Sequence, residues 1–167
     1  MLEFKPTPSE ERALRSRAVI IREGTDGDRL LGLLEISAPA ERVLEVAFDP
    51  TNRVVGPVRS VDIYRQEPNL VAARWSSSLL GMQLQLHMIL ERDLQKRSVH
   101  GRLDPSRPND PIRAELYYRA ERCGAATRLW YSMRTQLRVS PPRFVRRPIQ
   151  KRGVRAHLEH LRKICES

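Results

Sequence analysis

Four histidines and two cysteines are the side chains in this sequence most suited to holding a metal ion or serving as a base or nucleophile. His157 and His160 stand three apart in the stretch HLEH, close enough on a helix to share an ion. The order fits neither HExxH nor HxxEH, and no third ligand accompanies them. Two solvated histidines are therefore expected, and no metal. His87 shares a strand face with Gln83 and Gln85, and His100 shares one with Ser98 and Arg102, so both are expected to be exposed. A nucleophilic serine or cysteine needs a base and an orienting acid. Ser76, Ser77 and Ser78 have no elbow around them, and Cys123 sits in a turn beside Gly124. Glu35, Asp62 and Glu115 could do acid–base work if burial shifted them, yet Asp62 and Glu115 fall on outward positions. No catalytic residue and no cofactor are assigned.

Charge is the second chemical signal. The formal net charge is +10, and the residues from Pro141 onward, with eight Lys or Arg and two Glu, carry +6 of it. Such a tail suits RNA, DNA or an anionic membrane surface. No RNA-binding signature appears, however, and aromatic residues are only 5%, which ranks nucleic acid behind a membrane. Trp130 lies between Arg128 and Arg134 on the polar side of a strand, where cover by the N-terminal arm is the favoured reading. Cys123 and Cys165 lie too far apart in sequence to suggest a zinc knuckle, and read as reduced thiols of a cytoplasmic protein.

The elements that must position these groups follow from periodicity. Residues 1–17 are polar, contain two prolines and are expected to form a flexible arm, with a single domain over residues 18–167. Ala18–Ile21 and Leu30–Ile36 flank the turn-rich EGTDGD, which predicts a hairpin. A helix is expected after it, capped by Ser37 and ending at Asp49–Pro50. From Val61 to Met133 the period is two, with apolar residues alternating against polar ones, and this predicts an antiparallel sheet with one buried face. The tail then gives a helix with Val154, Leu158, Leu161 and Cys165 as one stripe. Pro148 and Gly153 are expected to kink or break its first turns.

Three stretches carry a resemblance to a known superfamily. LLGLLEISAPAERVLEVAFDPTNR resembles the first strand and helix of the START-like or SRPBCC proteins, the helix-grip superfamily of pollen-type allergens, polyketide cyclases and coenzyme Q-binding proteins. ERCGAATRLWYSMR is similar to its last strand hairpin, and PRFVRRPIQKRGVRAHLEHLRKIC to its closing helix. The resemblance runs from about Leu30 to the end. It implies an α+β fold: a curved antiparallel sheet of six or seven strands wrapped around a long C-terminal helix, with two short helices after the first strand.

The resemblance further implies a cavity between sheet and helix for a hydrophobic small molecule such as a lipid, isoprenoid quinone or polyketide. The inward positions expected to bind it are Trp75, Leu84, Leu86, Met88, Leu116, Tyr118, Tyr131 and Met133, with Ile149, Val154 and Leu158 from the helix. A carrier is favoured. A polyketide cyclase or hydrolase-type enzyme and an RNA- or ribosome-associated basic module are the alternatives.

Overall fold

The computed structural model describes residues 2–167. The stretches of period-two sequence become strands, as steric alternation across a pleat requires. They are β1 (Ile20–Glu23), β2 (Arg29–Ile36), β3 (Val58–Glu67), β4 (Leu70–Leu79), β5 (Met82–Asp93), β6 (Ser98–Leu103), β7 (Pro111–Cys123) and β8 (Ala126–Leu137). They form one eight-stranded sheet in the order β1-β2-β8-β7-β6-β5-β4-β3, antiparallel throughout. Six or seven strands were expected, and the difference lies at the N-terminal edge, where β1 pairs Ile20 to Glu23 with Leu33 to Leu30. Alternation over residues 112–118 predicts Ile112 on the same face as Ala114, Leu116 and Tyr118. Ile112 is exposed, however, because a bulge between Pro111 and Arg113 shifts the register of β7, and Pro111 is buried instead.

Two short helices follow β2. The first, α2 (Ala40–Phe48), begins after Pro39 and has no side-chain cap. Ser37, the expected cap, instead gives its backbone N–H to Glu166 at 2.9 Å. The second is a 3-10 turn, Pro50–Arg53. Asp49 closes it by accepting from the Thr51 backbone at 2.9 Å and the Thr51 hydroxyl at 2.6 Å. Asn52 adds a bond to the Val46 carbonyl at 2.9 Å. This small hydrogen-bonded knot sets the direction in which Arg53 leaves the chain.

The last element, α3 (Arg143–Glu166), is one helix running through Pro148 and Gly153 without interruption. Its Val154, Leu158, Leu161 and Cys165 are buried against the concave face of the sheet. Burying a side chain of this size contributes about 1.5–3 kcal/mol, far more than an exposed ion pair, so the apolar stripe decides where the helix lies. The approach is close at Gly32, where a Cβ would stand 2.6 Å from Leu158 Cδ1. The cationic residues occupy the remaining sides of α3. Glu23 of β1 gathers three of them, Arg143, Arg147 and Lys151, and ties the N-terminal half of the helix to the β1–β2 hairpin.

Residues of the N-terminal arm, expected to be flexible, contain the helix α1 (Pro8–Arg15). Thr7 and Glu10 form a reciprocal capping box and Pro8 occupies the first turn. Phe4 and Leu14 pack with Leu31, Leu33 and Trp130 on the convex side of the sheet. The sheet is thus covered on both faces: by α2 and α3 inside, and in part by the arm outside.

Candidate functional site

Between the sheet and α3 lies a cavity of about 140 Å3. Seven of the eleven expected residues line it: Trp75, Leu84, Leu86, Tyr131, Met133, Ile149 and Val154. The other four, Met88, Leu116, Tyr118 and Leu158, are buried in the main apolar core and form no part of the cavity wall. They fill the interior rather than face the void. The remaining lining comes from the loop before β3 (Val55, Pro57), from β3 (Val58), from the far ends of β4, β7 and β8 (Ser77, Leu79, Pro111, Thr135, Leu137), from α3 (Gln150, Gly153, His157), and from Arg53.

The cavity is polar at one end and apolar toward the other. Along β4 its wall passes from Trp75 through Ser77 to Leu79; along β8 it passes from Tyr131 through Met133 to Leu137. Along α3, read backwards, it passes from His157 through Val154 to Ile149. Eight helical residues rise about 12 Å, which sets the length of the wall. Trp75, Tyr131, Val154 and His157 are buried, whereas Val55, Leu79, Ile149 and Gln150 are only partly so, and the latter therefore mark the mouth.

At the buried end five side chains from five elements meet. Arg53 Nη1 donates to the Tyr118 hydroxyl at 2.7 Å and to the Tyr131 hydroxyl at 3.0 Å. Its guanidinium also stacks over Trp75, 5.1 Å from the ring centre. Tyr118 Oη lies 2.7 Å from His157 Nε2. Since Tyr118 accepts from Arg53, its own proton goes to Nε2, and the remaining imidazole proton sits on Nδ1. Burial first, then the charge of Arg53 and that of His160, hold His157 well below the usual histidine pKa, so the ring is neutral. Burial raises Tyr118, with Arg53 opposing, and the phenol keeps its proton. Burial works against the charge of Arg53, but the two tyrosine oxygens outweigh it and the arginine pKa is raised.

Sequence reasoning missed two of these residues. His157, expected in solvent, is only 4% exposed. Its spacing of three from Val154 and four to Leu161 places it on the edge of the same stripe, and that signal was available. Arg53 had none: it is one arginine among many, and only the knot at Asp49 turns it inward. His87 is a further correction. It is buried beneath the loop after β6, its Nδ1 2.8 Å from the Pro108 carbonyl. His100 is exposed, as expected. Trp130 is covered by the arm and donates to the Phe4 carbonyl at 3.2 Å.

Carboxylate–tyrosine pairs do exist, between Tyr64 and Asp104 at 2.9 Å and between Tyr117 and Glu3 at 2.8 Å, but none of these residues lines the cavity. Among the described residues no group of three His, Cys, Asp or Glu could hold a metal ion, and no helix is long and apolar enough to cross a membrane.

Solved structures with the same arrangement of sheet and closing helix settle what the fold is. An aromatase/cyclase from Streptomyces sp. R1128 matches at 17% identity and a TM-score of 0.69, covering 88% of this chain and 94% of its own. A STAR-related lipid transfer protein fragment from Xanthomonas axonopodis matches at 13% identity and a TM-score of 0.69, covering 89% and 93%. A START superfamily protein from Mycobacterium smegmatis matches at 12% identity and a TM-score of 0.66, covering 83% and 97%. The chain has the START-like helix-grip fold. No protein-family model and no curated protein sequence matches it. At these identities the START-like likeness extends to architecture alone, and the chemistry rests on the side chains of this chain.

Proposed function

We propose that this START-like protein binds a hydrophobic small molecule, of the lipid, isoprenoid quinone or polyketide-like kind, in the cavity between the sheet and α3. The observation that carries the reading is a void with an apolar wall, in the position the helix stripe would fill if sheet and helix met without a gap. A dry cavity of roughly 150 Å3 holds one benzene ring, so about 140 Å3 takes a ring or a short chain segment. The rest of a larger ligand would extend through the mouth between Val55, Leu79 and Ile149.

The test is organic extraction and mass spectrometry of the purified protein, joined to titration with hydrophobic probes read by Trp75 fluorescence. A co-purifying apolar molecule, or saturable quenching that Leu84→Trp abolishes by filling the void, is the expected result. Blank extracts together with no saturable response to any probe would defeat the carrier reading.

A cyclase-type enzyme is the second reading, and one observation favours it: neutral His157 and protonated Tyr118 share a hydrogen bond beside a cation, an arrangement able to shift a proton. Against it, no carboxylate lines the cavity, and Nε2 of the histidine is already engaged. The carrier reading is therefore preferred.

A further inference from the structure

The polar end of the cavity holds more hydrogen-bond donors than acceptors, and several of the donors are idle. Arg53 Nε and Trp75 Nε1 are buried without a partner. Arg53 Nη2 makes no hydrogen bond among the described residues, because both bonds of the guanidinium leave from Nη1. Tyr131 accepts from Arg53, and no acceptor for its own proton occurs among the described residues. His157 Nδ1, which carries the imidazole proton, is also buried without a partner. The cavity lining includes one arginine and no Asp or Glu, so the guanidinium charge is uncompensated where it meets the void. A buried charge without a counter-charge is costly, and an unmade hydrogen bond to it costs more than a made one returns.

We infer that the ligand of this cavity carries an anionic oxygen, of the carboxylate type, seated against Arg53 and Tyr131 with its apolar body directed along α3 toward the mouth. The inference rests on the carrier reading above and names the polar half of its ligand. A carboxylate is all acceptor and no donor, which is the complement of this end of the site. It supplies the missing negative charge, accepts from Arg53 and takes the idle Tyr131 proton. A neutral amide brings donors of its own to a place already crowded with them. An alcohol brings a single neutral oxygen and leaves the arginine uncompensated.

Isothermal titration calorimetry at pH 7 with two matched pairs tests this: 4-butylbenzoate against 4-butylbenzamide, and octanoate against octanamide. Hydrogen bonds to a charged group set the expected preference at about ten- to hundredfold for the acid in either pair. Arg53→Met should abolish the preference, so that acid and amide of each pair bind alike. Tyr131→Phe, which keeps the ring and removes the hydroxyl, should reduce it severalfold and serves as a milder variant should Arg53→Met fold poorly. Equal affinity for acid and amide in the unaltered protein would overturn the inference and leave the carrier reading standing. A preference that survives Arg53→Met would assign it to the general positive charge of the chain, and the inference would fall. Absence of binding by all four compounds would count against the carrier reading itself, and this inference would fall with it.

Discussion

Arg128 and Arg53 are both largely enclosed arginines, one on the convex side of the sheet and one on the concave side. Arg128 gives two bonds to Glu11, at 3.0 and 2.8 Å, and one to Glu35 at 2.7 Å. Its outward neighbours follow the same rule: Arg119 meets Glu3 and Glu121, Arg134 meets Asp26 and Asp28, and Arg29 meets Glu115. Arg53 meets two phenols, an indole face and a void. On one face the chain supplies both signs of charge and the result is a closed structural network. On the other it supplies one sign only. The contrast separates arginines that hold the fold from an arginine arranged for something the chain does not contain.

The largest expected effect comes from breaking the network on the convex side. Arg128→Met would leave Glu11 and Glu35 facing each other with no cation between them. A fully buried pair broken in this way loses about 3–5 kcal/mol; these carboxylates keep part of their exposure, so a loss of about 1–3 kcal/mol is expected. Denaturant unfolding of the variant measures it directly. No change beyond a few tenths of a kcal/mol would remove Arg128 from the structural class and blur the comparison.

The two faces also differed in how far they could be read from sequence. Period-two alternation located the inward residues of β4, β5 and β8, because a strand puts successive side chains on opposite faces whatever its surroundings. The cover over Trp130 followed from its oddness, an aromatic among arginines. The helix of the arm was not expected although Thr7-Pro8-Ser9-Glu10 is a capping box, since a segment with two prolines, many charges and few apolar residues has little helical periodicity to show. The polar end of the cavity was half legible. Tyr131 and Trp75 follow from strand parity. His157 required treating the stripe of α3 as wider than one residue. Arg53 depends on a 3-10 turn of four residues, and no periodicity exists over so short a span. Of the four core residues expected in the cavity, parity correctly put Met88, Leu116 and Tyr118 inside. It carries no information on whether an inward side chain meets another side chain or a gap.

A pH titration sharpens the contrast next. On the concave side His157 is neutral and held far below its usual value near 6.5 by burial, Arg53 and His160. The unfolded chain takes up a proton near pH 6.5 and the folded chain does not, so stability falls as pH drops below that point. The slope approaches about 1.4 kcal/mol per pH unit while only the unfolded state is protonated. On the convex side Glu10 is lowered from 4.5 to about 2, chiefly by its hydrogen bond to Arg22, and Glu11 is lowered chiefly by its hydrogen bond to Arg128. Their contribution is present above about pH 4.5 and is lost as the pH falls through their lowered folded-state values, about 2 for Glu10, and it is smaller because both are exposed to solvent screening. Melting temperature followed from pH 7.5 to 5.5 should therefore decline in the native protein and much less in His157→Gln, whose amide still reaches Tyr118 without titrating. Parallel curves for the two proteins would mean that His157 is not the group responsible.

The smallest expected effect is the most telling, because it is the counterpart of the first. Arg53→Met removes a cation that has no counter-charge, relieving its desolvation, and Met fills much of the same space with a flexible apolar chain. The losses are the two bonds to the phenols. Tyr118 keeps its partner in His157, and Tyr131 is left to turn its hydroxyl toward the cavity. These terms oppose each other and are of similar size, so the ligand-free variant should unfold within about 1 kcal/mol of the native protein, in either direction. Adding a saturating acid ligand should then separate the two, since a ligand that binds only the folded native protein stabilises it by about 2.7 kcal/mol at one hundred times its Kd. A loss of several kcal/mol without ligand would place Arg53 beside Arg128 as a structural cation, with the two tyrosines as its real partners. The surplus of donors around it would then be a consequence of folding rather than a recognition surface.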